Sequence, residues 1–312
     1  PTEGEVYFCG KKVTEKEMIK YIIRRILLSI PILLIVVTLV FLLVRAMPGG
    51  PAVAMLGDYA SKEAIEALEK EMGLNDPLWV QYSRFLGNLS RGDLGRSMIN
   101  GLPIAPEVAR VLPYTLQLAI SAILFGVIFG IPLGILTALR RNTFFDYLGR
   151  TLSLAGVSIP AFFLGILLML VFSIQLNLFP VLGGGDIYNL PDNLYHLFLP
   201  SITLGMMMTA YITRTTRSSV LNVLQEDYIR TARAKGMRER IVIYGHALRN
   251  ALIPVISLIG VYAIVLIGSS VLVEIVFSRP GLGKMMVGAI KQRDYMTLQS
   301  VMVIYGSLVV VI

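Results

Sequence analysis

The sequence predicts an all-α membrane protein with about six transmembrane helices and a cytoplasmic N-terminus. Hydrophobic residues occupy 55% of the 312 positions and charged residues only 15%, whereas soluble domains are about a quarter charged. Several apolar runs approach the ~20 residues that a helix needs to cross the hydrocarbon core of a bilayer. Lysines and arginines are concentrated in alternate loops, as expected when one set of loops faces the cytoplasm.

Six apolar runs account for the predicted spans, at residues 26–44, 116–139, 151–176, 197–213, 251–276 and 298–312. The fourth run is the weakest because it is short and interrupted by Pro200 and by threonines. The sixth has 15 residues, fewer than a span needs, so we expect the chain to continue past Ile312. Pro31, Pro132, Pro160 and Pro200 lie within the runs. Neighbouring helices can satisfy the carbonyls that a proline frees, so we predict kinks there and not breaks.

The loops between these runs differ in their cations. Lysines and arginines are frequent in residues 11–25, 140–150 and 214–249, whereas residues 177–196 contain neither. Because cytoplasmic loops are enriched in these residues, the three cationic stretches and the N-terminus are predicted to be cytoplasmic.

The N-terminal part divides into a leader, a first span and an outer loop. Residues 1–17 are polar and precede Met18, so we interpret them as a leader or an expression remnant without a function of their own. Residues 18–47 form the first transmembrane helix, since the apolar run is too long for a signal peptide and lacks a small-residue cleavage site. Residues 48–113 form the large outer loop, in which eight acids outnumber six cations.

Two helices are predicted in the outer loop. Ser61 can cap a helix that ends at Gly73, and Asp76 followed by Pro77 marks the start of a second helix, which carries Trp79. Two interpretations stay open: the loop is a lid over the outer mouth of the protein, or it is a docking surface for a soluble partner.

The residues present exclude several classes of function. The net charge of +8 comes from cytoplasmic loops and not from a soluble basic domain, so nucleic-acid binding is not expected. One cysteine, Cys9, and two histidines exclude an internal disulfide and leave no predicted metal site. The stretch SRPGLGKMM lacks the first glycine and the final Ser or Thr of a P-loop, and no H-E-x-x-H or G-x-S-x-G motif occurs. We therefore predict a non-enzymatic chain with no catalytic residue, no metal and no cofactor.

Polar residues within the apolar runs are candidates for lining a solute pathway. They are Gln117, Ser158, Thr209, Tyr211, Tyr262 and Glu274. Serine and threonine also join helices to one another, and the sequence does not separate the two roles. For Glu274, near the outer end of the fifth run, two interpretations are open. It either pairs with Arg279 or a backbone N–H, or it contacts a cationic group of a substrate.

A charged segment separates the fourth and fifth runs: residues 227–254 carry six cations and two acids. The helical period places Tyr228, Ala232 and Lys235 in one row. Arg230 and Ala234 form an adjacent row, and the small alanines leave room for a partner to pack closely.

Gly236 is expected to end this first helix, and a second helical stretch at 239–250 leads into the fifth run. We name residues 227–246 the cytoplasmic knob, predicted as two short helices joined at a glycine, with cations that can pair with acids of a partner. The alternative is a basic loop that only sets membrane topology.

The stretch DYIRTARAKG followed by HALRNALIPV resembles the cytoplasmic coupling loop of binding-protein-dependent ABC importer permeases, in the version found in dipeptide and oligopeptide permeases. Only Ala232 and Gly236 match the general Glu-Ala-Ala-x-x-x-Gly pattern strictly. Other stretches agree with the same family, namely RAMPGGP, GLNDPLWVQYSRFLGNLSRGDLGRS, SIPAFFLGILL, LPSITLG and VEIVFSRPGLG. The likeness runs from Met18 to the end and is strongest to the first of the two membrane subunits.

The resemblance implies a five-helix permease core at residues 114–312, with the coupling loop at 226–250. It implies the permease subunit of an ATP-driven importer of di- and oligopeptides in the prokaryotic cytoplasmic (inner) membrane. The implied partners are a second permease subunit, two cytoplasmic ATPases that carry ATP and Mg, an extracytoplasmic substrate-binding protein and membrane lipid.

The residues implied to couple the chain to an ATPase are Tyr228, Arg230, Ala232, Arg233, Ala234, Lys235 and Gly236. In that role, Gly236 would provide the turn and the two alanines would allow close packing. The arginines and the lysine would pair with acidic groups on the ATPase surface.

Other solutes and other classes stay open. Nickel-complex permeases share much of this pattern, and the spans contain no ligand cluster that decides. A secondary transporter would work without an ATPase and is typically built from inverted repeats, of which no clear example is visible. A membrane scaffold would need the knob but not the prolines and polar residues within the spans.

Overall fold

Helices account for most of the computed structural model, which describes residues 7–8, 11–12, 15–46, 50–56, 60–71 and 73–311. The elements are, in chain order, β1 (Tyr7–Phe8), β2 (Lys11–Lys12), α1 (Glu15–Ala46), α2 (Gly50–Leu56), α3 (Lys62–Glu71), α4 (Leu78–Ser90), α5 (Ile104–Leu139), α6 (Phe144–Ser158), α7 (Ala161–Leu168), α8 (Leu190–Val223), α9 (Asp227–Ala234), α10 (Glu239–Ile241), α11 (Leu248–Val276), α12 (Leu282–Lys291) and α13 (Tyr295–Val311). Two π-helical stretches continue the α-helices, Met169–Gln175 after α7 and Val242–Ala247 between α10 and α11. β1 and β2 pair antiparallel over two residues each. The predicted all-α membrane class is confirmed.

Among the described helices, three are long and apolar enough to cross a membrane, covering 23–46, 104–139 and 239–276. The pair α6 and α7 adds a fourth if it is counted as one span. Helix α8 has 34 residues but is less apolar, and α13 has 17. The protein is therefore a multi-pass membrane protein.

The second helical stretch of the cytoplasmic knob is not a separate short helix, contrary to the prediction. It forms the first part of the continuous helix that includes α11. The backbone stays helical on both sides of the π-helical stretch, at Ile241 and at Leu248. A π-helical turn absorbs an irregularity without breaking a helix, and sequence periodicity does not reveal this.

At Pro160 the helix is interrupted, whereas only a kink was predicted. The helix axis bends by 103° from α6 to α7. Ile159, which lies between the two helices, has an extended backbone, with φ −84° and ψ 122°. A proline disfavours the helical conformation for the residue before it, which explains the break. Pro31, Pro132 and Pro200 lie inside the continuous helices α1, α5 and α8, as expected.

The described residues form two compact units, one made of those up to 105 together with 289–311, and the other of 106–288. The last helix, α13, belongs to the first unit, although it is separated from the rest of that unit in the chain. Val303 of α13 is buried against Val37 and Val40 of α1. This packing places α13 in the first unit, although α13 follows the second unit in the chain.

In the first unit, the two predicted helices of the outer loop are present. The Ser61 hydroxyl accepts the N–H of Ala64 at 3.2 Å, and Gly73 has a φ of +65°, so the cap and the stop of α3 are confirmed. Pro77 stands directly before α4. Phe85 of α4 packs against the cluster formed by α1 and α13, so the loop is attached to the membrane helices of its own unit.

The second unit is built around α5, α8 and α11, which share one apolar core. Gly126, Gly130 and Gly134 recur every four residues on the face of α5 that meets α8, and a Cβ at any of them would lie 2.5–2.8 Å from an α8 side chain. Small residues at this spacing let two membrane helices approach closely. This close contact fixes the position of α5 relative to α8.

Candidate functional site

One apolar face of α9 attaches the cytoplasmic knob to the second unit. Ile229 and Ala232 are buried on this face and pack against Val242 and Ala247 of the following helix. The remaining members of the cluster are Val223, Leu224 and Met237. The orientation of α9 is therefore set by burial of its apolar side.

Helix α9 ends in a Schellman motif at Gly236. The Gly236 N–H donates to the Arg233 carbonyl at 2.9 Å, and the Met237 N–H donates to the Ala232 carbonyl at 3.4 Å. Gly236 has a φ of +74°, and a Cβ there would meet no atom within 4 Å. The position requires glycine because of its backbone conformation and not because space is short.

The opposite face of α9 is cationic. Arg230, Arg233 and Lys235 are exposed. Arg233 donates to both oxygens of Glu239, at 2.6 and 3.2 Å, and this hydrogen bond raises the pKa of the Arg233 guanidinium above its ordinary value. The two side chains are 42% and 55% exposed, so the pair contributes at most about 1 kcal/mol of stability. Its main effect is to hold Arg233 in one orientation at the surface.

The seven predicted coupling residues lie on two different faces. Six are exposed: Tyr228, Arg230, Arg233, Ala234, Lys235 and Gly236. Ala232 is only 8% exposed, which corrects the expectation that both alanines face a partner. It follows Ile229 by three residues and so shares its inward face. The Tyr228 hydroxyl also accepts the side-chain amide of Asn250 at 2.9 Å, which ties α9 to α11. A role of these residues in coupling stays a prediction.

The two alanines provide a direct test of this orientation. Ala232→Asp should separate α9 from the following helix, because a carboxylate would be buried in an apolar cluster at a cost of several kcal/mol. Ala234→Asp should leave the fold within about 0.5 kcal/mol of wild type, because the position is exposed. Trypsin digestion of inverted membrane vesicles should cut the knob of the first variant much faster than that of the second. Equal rates of cleavage would contradict the assigned faces.

Glu274 is fully buried among hydrogen-bond donors. Its Oε1 accepts the Thr115 hydroxyl at 2.7 Å, and its Oε2 accepts the Lys284 N–H at 3.0 Å. The Gly283 N–H donates to the same carboxyl. This geometry fits the interpretation that Glu274 pairs with backbone N–H groups. The Glu274 carboxylate thereby holds the segment after α11 against α5.

The side chain of Arg279 donates to groups other than the Glu274 carboxylate. It is fully buried and donates to the Gly184 carbonyl and to Oε1 of Gln117, at 3.1 Å each. Its guanidinium lies 5.1 Å from the centre of the Tyr114 ring. Gln117 is thus an acceptor for a buried arginine in this structure.

The remaining pathway candidates do not lie along one line. Thr209 and Tyr211 are two residues apart on α8, which places them on nearly opposite sides of the helix. The ring of Tyr211 contacts that of Tyr262 on α11 at a tilt of 37°, with ring centres 4.1 Å apart, whereas Thr209 borders a cavity between α5 and α6. Ser158 is exposed at the end of α6, where its hydroxyl donates to the Leu154 carbonyl. Whether any of them lines a pathway stays a prediction.

Asp146 is a buried site that the sequence analysis missed. It is fully buried and accepts Nε and Nη2 of Arg217 at 2.7 and 2.9 Å, together with the Asn142 N–H at 3.0 Å. One signal was available: Asp146 is the only acid between residues 108 and 185. Among the described residues, no three His, Cys, Asp or Glu side chains come together in a way that could hold a metal.

Known proteins resemble the chain over nearly its whole length. The family model described as "Binding-protein-dependent transport system inner membrane component" matches residues 130–312, and the model of its N-terminal part matches residues 18–119. The glutathione transport system permease protein GsiC of Pectobacterium atrosepticum is 44% identical over 289 residues, which are 93% of this chain and 92% of that protein. GsiC of Salmonella paratyphi A is 43% identical over 290 residues, and GsiC of Escherichia coli K12 is 42% identical over 289, with the same coverage.

Proposed function

Because the chain belongs to the family of binding-protein-dependent transport system inner membrane components, and is the permease subunit of an ABC transporter, we propose that it forms half of the pathway of an ATP-driven importer for di- and oligopeptides. It is a multi-pass protein of the prokaryotic inner membrane and a non-catalytic component of transport. The proposed complex contains a second permease subunit, two cytoplasmic ATPases and an extracytoplasmic substrate-binding protein. ATP and Mg would be bound by the ATPases.

The observation that carries this proposal is the exposed cationic face of α9. Its inward face is buried on the second unit, so a force applied to α9 would be transmitted to the membrane helices. Its outward face presents Arg230, Arg233, Ala234 and Lys235, which suit a groove with acidic side chains. Closure of the ATPase pair would then move the knob as a rigid body and switch the pathway between its inward- and outward-facing states.

Support for a peptide-like solute comes from the relatives that are named glutathione permeases, since glutathione is itself a tripeptide. The apolar core of the second unit contains few fixed charges, and its buried acid Glu274 is already engaged by Thr115 and Lys284. A pathway of this kind suits solutes that vary in their side chains. A nickel complex or another small solute is the alternative, and uptake of labelled glutathione, dipeptides and nickel separates these cases.

Substitutions of Gly236 test the coupling. Gly236→Arg should abolish binding of the ATPases and reduce uptake at least tenfold, since it adds a bulky cation at the end of α9 and strains a left-handed backbone by about 1–2 kcal/mol. The measurement is a membrane pull-down with this chain as bait and all subunits co-expressed, followed by uptake in cells. Wild-type uptake by an inserted Gly236→Arg chain would refute the assignment.

Two further variants of Gly236 serve as controls. Gly236→Asn should retain the ATPases, because asparagine tolerates the left-handed region better than other residues. Gly236→Ala introduces the strain without the bulk, since open space surrounds the position, and it should have an intermediate effect. If even wild type binds no ATPase, the ATP-driven mechanism fails and a transporter that works without an ATPase becomes the better explanation.

A further inference from the structure

Two cavities adjoin one another between α5, α6 and α8 in the second unit. The first has a volume of about 410 Å³ and is bordered by Arg150, Arg214 and Arg217. Thr137, Ser153 and Ser218 add hydroxyl groups to its lining, and Leu154 and Val157 add apolar surface. Gly149, Ser153 and Thr213 also border the second cavity, so the two cavities are adjacent and share these residues as a wall.

The second cavity has a volume of about 460 Å³, and its lining is mainly apolar. Its large side chains include Phe125, Phe129, Leu133, Leu152, Leu164 and Met206. The two adjacent cavities therefore offer a cationic region and an apolar region, which is the polarity of an amphiphile.

Helices α6 and α8 place the two cavities at different depths in the membrane. The distribution of cations in the loops puts the arginines on the cytoplasmic side. On α8, Met206 lies eight residues before Arg214, or about 12 Å deeper at 1.5 Å per residue. On α6, Gly156 borders the second cavity and lies six residues beyond Arg150, or about 9 Å farther along the helix. The apolar cavity thus extends from the cationic end toward the middle of the bilayer.

Asp146 holds two of the arginines in position. It is fully buried and accepts two hydrogen bonds from Arg217, while Arg150 lies 3.5 Å away. One acid beside three arginines leaves a net charge of +2 around the first cavity. Arg217 is 20% and Arg150 46% exposed, and both side chains border this cavity.

We propose that the two adjacent cavities bind one anionic glycerophospholipid, with its phosphate on Arg150, Arg214 and Arg217 and an acyl chain in the apolar cavity. Arginine matches phosphate in geometry as well as in charge, and basic pockets between membrane helices on the cytoplasmic side suit anionic headgroups. A free phosphate would leave the apolar cavity unused, and a hydrophilic peptide would bury its backbone against phenylalanine and leucine. The inference does not depend on the solute that the protein transports.

The test measures lipid retained by the full chain, purified in detergent with its co-purifying subunits. Native mass spectrometry follows the retention of phosphatidylglycerol and of phosphatidylcholine with identical acyl chains. Wild type should retain phosphatidylglycerol preferentially. In the double variant Arg150→Gln, Arg214→Gln this retention should weaken roughly thirtyfold, because each arginine near an anionic lipid contributes about a factor of five. Arg217 stays in place, so Asp146 keeps its main partner.

The matched control is Arg140→Gln, Arg141→Gln, which removes the same charge from residues that do not border either cavity. It should retain phosphatidylglycerol as wild type does. A second pair of variants tests the apolar end on helix α6: Leu152→Trp fills the cavity, whereas Leu148→Trp lies outside it. Only Leu152→Trp should weaken binding of the long-chain lipid, and binding of dihexanoyl phosphatidylglycerol should be little affected.

Several outcomes would overturn the proposal. Equal retention by wild type and the arginine double variant would exclude the cationic end as the headgroup site. Equal retention of the two lipids by wild type would exclude selection of an anionic headgroup. Displacement of the lipid by inorganic phosphate at equal concentration would indicate a phosphate site, and displacement by a dipeptide would indicate that the cavities belong to the transport pathway.

Discussion

Glu274→Gln is expected to destabilise the second unit by about 2–4 kcal/mol, because a buried acceptor would lose one of its two accepting oxygens. The new amide group would face either the Thr115 hydroxyl or the N–H groups of Gly283 and Lys284, all of which donate to Glu274. The side chain has no room to turn away, since even a Cβ at Gly281 would clash with its carboxyl group. The thermal unfolding midpoint of the purified chain should fall by roughly 5–10 °C.

Thr115 supplies the controls for this prediction. Its hydroxyl donates to Glu274 and accepts the Leu282 N–H at 2.9 Å. Thr115→Val should therefore lower the midpoint in the same way, whereas Thr115→Ser keeps the hydroxyl and should cost less than about 1.5 kcal/mol.

Uptake measurements separate the two roles considered for Glu274. If it anchors the segment after α11, Glu274→Gln should reduce uptake of all substrates in parallel with the amount of folded protein. A variant with a wild-type midpoint but a changed choice among cationic and neutral substrates would contradict the anchor and support a substrate contact. Unchanged uptake of every substrate would eliminate the substrate contact.

Asp146→Asn is expected to have an effect of similar size, about 3 kcal/mol, because Arg217 would lose the carboxylate that it binds through two nitrogens. The fully buried side chain has no access to water that could compensate. The measurement is again the thermal midpoint in detergent, where a fall of roughly 6–10 °C is expected.

A double-mutant cycle distinguishes loss of this pair from general damage. Asp146→Asn combined with Arg217→Gln should be less destabilising than the sum of the two single changes, with a coupling of at least about 1 kcal/mol. Arg150→Gln should cost less than about 1 kcal/mol, since Arg150 is half exposed and 3.5 Å from Asp146. Additive effects of Asp146→Asn and Arg217→Gln would contradict the assigned pairing.

Local chemistry made some elements predictable from the sequence. The cap at Ser61, the stop at Gly73 and the turn at Gly236 each depend on residues within four positions in the chain, and all three are present. The long apolar helices also follow from the length of apolar runs. Such features are recognisable because their physical cause lies within one turn of helix.

Other features escaped the sequence analysis because their cause lies in packing. Helical periodicity grouped Ala232 with exposed neighbours, but Ala232 is buried with Ile229 once α9 lies on the following helix. Pro160 produces a break while Pro132 does not, although both stand within apolar runs. The last helix packs with the first unit, through contacts between Val303 and α1 that no local pattern indicates.

The sequence by itself determined that this chain is a multi-pass helical membrane protein, and it marked the cationic knob and the glycine that turns it. Run length, charge and backbone preference act locally, so they can be derived from the order of residues. Only the tertiary structure decided which buried groups meet, such as Glu274 with Thr115, 159 positions apart, and Asp146 with Arg217, 71 positions apart. A buried polar group takes its partner from whichever helix packs against it, and that choice is made by the packing of α5, α6, α8 and α11.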